Sequence, residues 1–240
     1  MNYEEIFDAR GSAYDRAMQR WPDARREDFQ VPLGWLDPKP GETIVDVPAG
    51  GGYLRGYLPE SCHWFGHEPC ASFREGEPAS GTDLLPLPWP DGFADAAISV
   101  AGVHHLDDKR PLFCELGRVV AEGGRFVLAD VHQDSAVRRF LDGFVGRYNS
   151  TGHAGCYLGV RTLEDLRETA WVVERAERVP FCWWFADRES LAGYCRMLFD
   201  MRDIEEESVL AGVEQYLGLN YRNGAVGMNW ELFLVLARRA

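Results

Sequence analysis

Basic residues, long apolar runs and cysteine pairs are all scarce in this chain of 240 residues. Lys and Arg number 25 against 38 Asp and Glu, which gives a formal net charge of −13. Binding to a phosphate backbone needs clustered basic side chains, so this balance disfavours a nucleic-acid substrate. No apolar run approaches the roughly 20 residues of a membrane span, and the first residues lack the basic and apolar parts of a signal peptide. The six Cys are scattered, which is typical of reduced thiols, so we expect a cytoplasmic protein.

Strand-like and helix-like segments alternate along the chain. Apolar stretches at 43–47, 62–66, 94–100 and 125–129 predict buried strands, and residues 228–237 predict a last strand. Continuous apolar strands separated by helices indicate an α/β fold, with a mainly parallel sheet covered on both faces.

Three segments before and after the first strand carry local signals. Apolar residues at helical spacing over 3–21 predict one amphipathic helix or two, with a break near Gly11. Residues 31–41 are rich in proline and predict a loop that leads into the first strand. A short helix is expected at about 51–58.

The residues best suited to chemistry follow the predicted strands. Ligands of an open parallel sheet bind beyond the carboxyl ends of its strands. The first strand ends in Asp46 and a glycine-rich turn at 48–52, where backbone N–H groups at a helix start suit a nucleotide-like cofactor. Glu68, 22 positions beyond Asp46, suits a ribose diol, and Asp83 suits an adenine amino group. These features predict an adenosine-containing ligand.

Several of these segments resemble one family. Residues 44–52 (Ile-Val-Asp-Val-Pro-Ala-Gly-Gly-Gly) are similar to the first motif of the class I S-adenosylmethionine-dependent methyltransferases, a strand followed by Asp-x-Gly-x-Gly-x-Gly. The resemblance is to the small-molecule kind, typified by the methyltransferases of ubiquinone and menaquinone biosynthesis. Residues 87–95, 99–106 and 115–124 resemble the family's LPFPDxxFD stretch, the end of its fourth strand and its E-x-x-R-V-L-K-P-G-G segment. The match covers roughly residues 40–135.

The resemblance implies a Rossmann-like sheet of seven strands, mainly parallel with an antiparallel last strand, and a helical lid. Residues 1–240 would form one methyltransferase domain, with an N-terminal helical lid at 1–30, a cofactor-binding core at 40–135, and a substrate region with the late strands at 135–225. The implied activity is methyl transfer from S-adenosylmethionine to a small-molecule acceptor, with S-adenosylhomocysteine as product. The expected partners are the acceptor and at most a second copy of the chain, with neither nucleic acid nor membrane. The residues expected to contact the cofactor are Tyr14, Asp46, Pro48, Ala49, Gly50, Gly52, Glu68, Pro69, Asp83, Leu84 and Ala101.

His104, His105 and Asp130 are the candidate catalytic residues, because they follow the strands 94–100 and 125–129. A neutral imidazole near pH 7 suits the deprotonation of a hydroxyl or amine acceptor. Asp130 is a candidate either to orient such a histidine or to act as the base. The alternatives stay open: a histidine that only packs against the strand end, and an aspartate with a capping or structural role.

Pro48 departs from the family pattern, since it replaces the first glycine of the motif. Proline fixes φ and lacks an N–H, so the turn either differs or functions without that donor. A non-catalytic binding protein with this fold is therefore one alternative, and an enzyme that uses the same cofactor for a non-methylating reaction is another. A nicotinamide oxidoreductase is more distant, because residues 50–52 do not follow the dinucleotide pattern G-x-G-x-x-G.

Cys62, His63, His67 and Cys70 are close enough in sequence to suggest metal ligands. The segment is also the predicted second strand, in which successive side chains point to opposite faces. We therefore expect no metal site.

Overall fold

The computed structural model describes residues 3–73 and 83–240, and a sheet of seven strands lies at its centre. The strands are β1 (Thr43–Asp46), β2 (His63–Gly66), β3 (Ala94–Val100), β4 (Val120–Asp130), β5 (Trp171–Phe185), β6 (Leu219–Arg222) and β7 (Ala225–Arg239). Their order is β2-β1-β3-β4-β7-β5, and β6 pairs with β7. The first four strands pair in parallel, whereas β7 is antiparallel to β4, β5 and β6. The expected α/β fold with an antiparallel last strand is confirmed, and β6 is a strand that the sequence pattern did not predict.

Helices cover both faces of this sheet. The α-helices are α1 (Tyr3–Arg20), α2 (Arg26–Leu36), α3 (Arg110–Val119), α4 (Ala136–Arg139), α5 (Gly146–Tyr148), α6 (Val160–Arg167), α7 (Arg188–Leu198) and α8 (Glu206–Tyr216). A π-helical segment, Phe140–Val145, joins α4 to α5, and short 3-10 helices occupy Tyr53–Tyr57, Ala71–Phe73 and Val103–His105. The short helix expected at 51–58 is present in 3-10 form. Among the described residues, no helix is both long and apolar enough to cross a membrane.

Alternating side chains of the central strands build two separate cores. Ile44 and Ile98 point to the face covered by α2 and α7, and Val45 and Ala97 point to the face covered by α3 and α6. All four are fully buried, because helices cover the parallel strands on both faces. The carboxyl ends of the four parallel strands meet at one edge of this buried layer.

The N-terminal helix is continuous, so the predicted break near Gly11 is wrong. A Cβ atom on Gly11 would overlap Ser72 Oγ, and that hydroxyl donates to the Phe7 carbonyl at 2.5 Å. Gly11 therefore serves a close approach between α1 and the segment after β2, rather than a turn in the chain.

The loop predicted for residues 31–41 is wrong over its first part, because α2 continues through Pro32 to Leu36. Proline removes one backbone N–H from the helix interior and is costly there. The helix nevertheless buries Phe29, Leu33 and Leu36 in the core beneath it, and this packing outweighs the local signal.

Candidate active site

The glycine-rich turn after β1 has proline in its first position. Pro48 follows a cis peptide bond, and its ring packs against Gly102 beyond the end of β3. A Cβ atom on Gly102 would lie 2.5 Å from Pro48 Cγ, so the proline fits because the residue that faces it has no side chain. Further along the turn, Gly50 and Gly52 have φ values of 53° and 74°, which glycine adopts without strain. The turn therefore keeps its glycine-dependent path after the proline.

Glu68 lies beyond the end of β2 and joins the turn to the N-terminal helix. Its Oε2 atom accepts hydrogen bonds from Gly50 N at 2.9 Å and from Tyr3 Oη at 2.7 Å, and its Oε1 atom accepts one from Cys70 N at 2.9 Å. The side chain is buried. Because Tyr3 belongs to α1, that helix contacts the acid that the sequence assigns to a ribose.

Asp46, the last residue of β1, is a buried carboxyl that forms no ion pair with any cation in residues 3–73 and 83–240. It accepts a hydrogen bond from Trp64 Nε1 at 3.3 Å. Burial raises the pKa of Asp46 to about 7, the Trp64 bond opposes the rise, and the nearby Glu68 adds to it. Such a carboxyl is suited to a positively charged ligand group, which would restore its ionised form.

A small cavity lies over the turn, with a volume of about 40 Å³. Tyr3 and Phe7 of α1 cover it, and Tyr53 Oη fastens α1 from the other side by donating to Asp15 at 2.7 Å. This volume holds roughly three water molecules, so α1 covers the turn closely in this structure. The expected cofactor contacts that line the cavity are Tyr14, Asp46, Pro48, Ala49, Gly50 and Ala101.

The other expected cofactor contacts, Glu68 among them, do not line that cavity. Gly52 closes the turn by donating its N–H to the carbonyl three residues earlier at 2.9 Å, and Pro69 is buried. Asp83 is exposed, whereas Leu84 packs in the core under α3. Their carbonyl oxygens accept from His67 Nε2 at 3.3 and 3.1 Å. The structure thus positions the backbone of this pair firmly, beside the segment 74–82 that lies outside the described residues.

Two of the three candidate catalytic residues form a buried pair. Asp130 Oδ1 lies 2.7 Å from His104 Nδ1, and Oδ2 accepts from His104 N at 2.9 Å. Val131 N donates to Oδ1 at 2.7 Å. Burial alone would raise the pKa of Asp130, but His104 and these backbone donors hold it below its ordinary value. An ionised Asp130 places the proton of a neutral His104 on Nδ1 and leaves Nε2 as an acceptor.

The third candidate, His105, lies in a cluster of rings. Its ring centroid is 4.0 Å from that of His104 and 5.6 Å from that of His153. Burial lowers the pKa of His105 well below its ordinary value, and the neighbouring His104 and Arg10 add to this effect. His105 is therefore a neutral imidazole at physiological pH.

His153 is a candidate from the sequence by its position alone, and its partners Asp142 and Tyr157 are functional candidates that the sequence did not indicate. His153 Nδ1 lies 3.2 Å from Asp142 Oδ1, and Tyr157 Oη donates to the same carboxylate oxygen. Tyr157 stacks on His104 with ring centroids 5.8 Å apart. Asp142 lies in the π-helical segment, a form often found at functional sites, but no periodic signal in the sequence predicts it.

Hydrogen bonds hold the loop after α5, which carries Cys156, against the ring cluster of His104, His105 and His153. Cys156 N donates to the His104 carbonyl at 2.7 Å. The buried Lys109 donates from Nζ to the Cys156 carbonyl at 2.7 Å and to the Leu106 carbonyl at 2.9 Å. These bonds hold the loop as a wall of the site.

A second cavity of about 40 Å³ separates the histidine cluster from the aromatic core. His104, Trp183 and Trp230 line it, and it shares Tyr14 and Ala101 with the cavity over the turn. The two cavities are therefore adjacent, one beside the glycine-rich turn and one beside the His104–Asp130 pair.

Parts of this chain are similar in sequence to known methyltransferases. Residues 45–128 match the family model described as a methyltransferase domain. The demethylmenaquinone methyltransferase of Corynebacterium kroppenstedtii is 31% identical over 139 residues, which cover 52% of this chain and 58% of that protein. The tRNA (carboxymethyluridine(34)-5-O)-methyltransferase of Arabidopsis thaliana is 32% identical over 129 residues, which cover 49% of this chain and 31% of that protein. The chain thus spans less than two thirds of the length of these relatives.

Solved structures share the fold across nearly the whole chain. YcgJ from Bacillus subtilis superposes with a TM-score of 0.60 at 13% identity, covering 89% of this chain and 98% of its own. Geranyl diphosphate C-methyltransferase from Streptomyces coelicolor A3(2), solved with Mg²⁺, geranyl diphosphate and S-adenosylhomocysteine, has a TM-score of 0.54 at 16% identity, covering 92% of this chain and 80% of its own. Residues 45–128 thus match a methyltransferase domain, and the sheet shares the fold of these solved structures.

Proposed function

We propose that this protein transfers a methyl group from S-adenosylmethionine to a small-molecule acceptor. The observation that carries the proposal is the contact between two cavities that share Tyr14 and Ala101. One of them lies over the turn after β1, and the other is lined by His104, whose ring contacts the buried Asp130. A methyl donor in the first would face an acceptor in the second.

The residues around the turn fit the cofactor chemically. Asp46 is a buried carboxyl without a cation, and an α-ammonium group would supply one. Glu68 already binds a hydroxyl group, that of Tyr3, where a ribose hydroxyl would bind. Asp83 and Leu84 remain the proposed contacts of the adenine. The cofactor would supply a methyl group that its sulfonium charge activates.

His104 is the proposed general base. Its Nδ1 atom is committed to Asp130 at 2.7 Å, so Nε2 is the nitrogen that can take a proton from an acceptor hydroxyl or amine. The negative charge of Asp130 then stabilises the imidazolium that forms. The buried rings of Phe7, Trp183 and Trp230 exclude water from the same space.

A small acceptor is favoured by the enclosure of this site. His104 is buried behind α1 and the loop that carries Cys156, so an acceptor must enter a cavity to reach it. The net charge of −13 also disfavours a polyanion. The similarity to a tRNA methyltransferase keeps a nucleic-acid acceptor as the competing assignment.

A non-catalytic binding protein, or an enzyme that uses the cofactor in a non-methylating reaction, is the second candidate. Pro48 favours it, because one N–H of the turn is missing. The two candidates differ in product mass, since methylation adds about 14 Da to the acceptor, the mass of one CH₂ group.

Calorimetric titration with S-adenosylhomocysteine tests the cofactor site. We expect saturable binding that weakens about tenfold or more in Glu68→Gln, because a carboxylate bound to a ribose contributes about 1.5–3 kcal/mol. Glu60→Gln, an exposed carboxyl in the loop before β2, is the matched control and should bind as the native protein does. Absence of binding by a folded native protein would contradict the proposal.

A further inference from the structure

Arg10 of α1 is a buried cation without a counter-ion among the described residues. Its side chain is 5% exposed, and its Nε atom has no hydrogen-bond acceptor. Its guanidinium lies 5.3 Å from the ring centroid of Phe7, a contact that gives Nε no acceptor oxygen. Burying a charge without a partner is costly, so the arrangement calls for a ligand that offsets the cost.

Arg25 lines the cavity beside the histidine cluster together with Arg10, and its buried charge is paired in the usual way. Its guanidinium forms an ion pair with Asp28 Oδ2 at 2.5 Å and a further hydrogen bond with Tyr14 Oη. The two arginines therefore differ in pairing and not in burial. Arg25 is neutralised by a hydrogen-bonded carboxylate, whereas Arg10 forms no ion pair with a described residue and is influenced by Asp200 only at longer range.

A second unbonded donor lies in the wall of this cavity. Trp230 is 6% exposed, and its Nε1 atom has no acceptor. The ring against which it stacks, Trp183, donates from its own Nε1 to Asp28 Oδ1 at 2.7 Å. Trp171, another buried indole, donates to the Phe113 carbonyl at 2.9 Å. Trp230 and Arg10, which carry these two unbonded donors, thus line the same cavity.

We infer that the acceptor is a carboxylate-bearing hydroxy compound with an apolar or aromatic body. This inference rests on the proposed function. The carboxylate would pair with Arg10, and an oxygen of the same ligand would accept from Trp230 Nε1. The body would contact Leu141, Phe199 and Leu232, which line the remaining wall.

Methyl transfer would occur at the hydroxyl group of this acceptor, at the end away from the carboxylate. The acceptor hydroxyl oxygen forms a bond to the methyl carbon as the carbon–sulfur bond breaks, and the electron pair of that bond stays on sulfur. The hydroxyl proton passes to His104 Nε2. The products are the methyl ether, S-adenosylhomocysteine and a protonated His104 that Asp130 stabilises.

The access route also passes Arg10. A surface pocket of about 250 Å³ shares Arg10, His105 and His153 with the inner cavity. An anion entering through this pocket meets Arg10 before it reaches His104. The guanidinium is therefore placed to select the acceptor as well as to hold it.

A metal ion bound by the histidine cluster is the alternative to an acceptor anion. One ring nitrogen from each of His104, His105 and His153 lies within 4.8 Å of the others. Zinc needs its nitrogen ligands at about 2.0–2.1 Å, so the rings would have to draw together. The carboxylates of Asp130 and Asp142 would support such ligands, whereas the charge of Arg10 opposes a cation, so zinc binding is measured as a separate outcome below.

A test without any ligand uses Arg10→Met, with the exposed Arg16→Met of the same helix as matched control. Removing an unpaired buried charge should raise Tm by about 2–4 °C or more, while the control stays unchanged. A fall of that size in Arg10→Met alone would show that Arg10 supports the fold, and would contradict the inference.

The direct test measures binding to the native protein saturated with S-adenosylhomocysteine. The probes are 4-hydroxyphenylacetate and indole-3-acetate, each compared with its uncharged amide. We expect at least one acid to bind about tenfold or more tightly than its amide, and this preference to fall to about twofold in Arg10→Gln but not in Arg16→Gln. Trp230→Phe should weaken the acid by about threefold or more.

Equal binding of acids and amides, including binding of neither, would overturn the inference, as would a preference that persists in Arg10→Gln. Zinc binding that raises Tm and is lost in His105→Ala would assign the cluster to a metal instead. Preference for the acid without methyl transfer would support the anion site and contradict the proposed function. Methyl transfer to a neutral acceptor, unchanged in Arg10→Gln, would support the proposed function and contradict the anion site.

Discussion

His104 and Asp130 are joined twice, by Nδ1 to Oδ1 at 2.7 Å and by the His104 backbone N–H to Oδ2 at 2.9 Å. One carboxylate therefore sets both the ring orientation of the histidine and the backbone from which the ring projects. The pair connects the ends of β3 and β4. This relationship fixes which nitrogen of His104 can act as a base.

Replacing Asp130 with Asn should lower kcat by about 10²–10⁴, because the amide can no longer favour the proton on Nδ1 or stabilise the imidazolium. Affinity for S-adenosylhomocysteine should stay within about twofold of native, since the pair lies in the acceptor cavity. Steady-state kinetics across pH measures the effect, and a native kcat would exclude the pair from catalysis.

The same substitution changes stability at low pH. The pKa of Asp130 in the folded protein lies below its ordinary value, so its contribution to stability is present above about pH 4 and is lost as pH falls through the folded value. Acid unfolding of the native protein should therefore become steeper below about pH 4 than that of Asp130→Asn. Parallel acid unfolding curves would contradict this.

Asp46→Asn should stabilise the free protein at pH 8. The pKa of Asp46 is raised to about 7 by burial, so ionisation costs folding free energy between its unfolded value near 4 and its folded value. Asp46→Asn should therefore raise the free energy of unfolding at pH 8 by a few kcal/mol at most. Its Tm should exceed that of the native protein at pH 8 but not at pH 4.

The same variant should bind S-adenosylmethionine more weakly, because it lacks the negative charge that an ammonium group requires. Thermal unfolding at both pH values, with the exposed Asp8→Asn as control, separates the two effects. Equal Tm changes at pH 4 and pH 8 would show that the pKa of the Asp46 carboxyl is not raised in the folded protein.

Gly102→Ala should destabilise the protein by about 1–3 kcal/mol, because its Cβ would lie 2.5 Å from Pro48 Cγ. Pro48→Gly should relieve that clash, so the double variant should be more stable than the sum of the single changes predicts. Denaturant unfolding of the four proteins measures the coupling. Gly34→Ala, whose Cβ meets nothing within 4 Å, is the control. Strict additivity would mean that the two residues do not accommodate each other.

Tyr3→Phe should bind S-adenosylhomocysteine a few-fold more tightly than the native protein. The Tyr3 hydroxyl donates to Glu68 Oε2 at 2.7 Å, where a ribose hydroxyl would have to replace it. Calorimetry measures the change, and Tyr53→Phe, which removes the hydrogen bond from Tyr53 to Asp15 of α1, tests whether loosening the helix alone has the same effect. Weaker binding in Tyr3→Phe would mean that Tyr3 belongs to the ligand-bound site.

Sequence patterns predicted the parts of the site that depend on strand ends. Asp46, His104 and Asp130 each follow an apolar strand, and parallel strands bring such residues to one edge. The helix through Pro32 and the unbroken helix at Gly11 were missed, because packing against other elements decided both.

The unbonded donors behind the proposed anion site could not be predicted from the sequence. Arg25 has Asp28 three residues later and pairs with it, but no sequence pattern shows that Arg10 is buried without such a partner. The free donor of Trp230 is likewise distinguishable from the bonded donor of Trp183 only in three dimensions. Unsatisfied groups are properties of the assembled structure.

The most direct test of the account is methyl transfer itself. Native protein and His104→Gln would be incubated with S-adenosylmethionine carrying a labelled methyl group and with a panel of hydroxy acids and their amides, and the products would be weighed by mass spectrometry. We expect an acid product that is heavier by about 14 Da plus the added mass of the label. It should form with one equivalent of S-adenosylhomocysteine, at a rate that falls about 10²-fold or more in His104→Gln. Tight cofactor binding with no labelled product from any acceptor, or a native rate in His104→Gln, would contradict it.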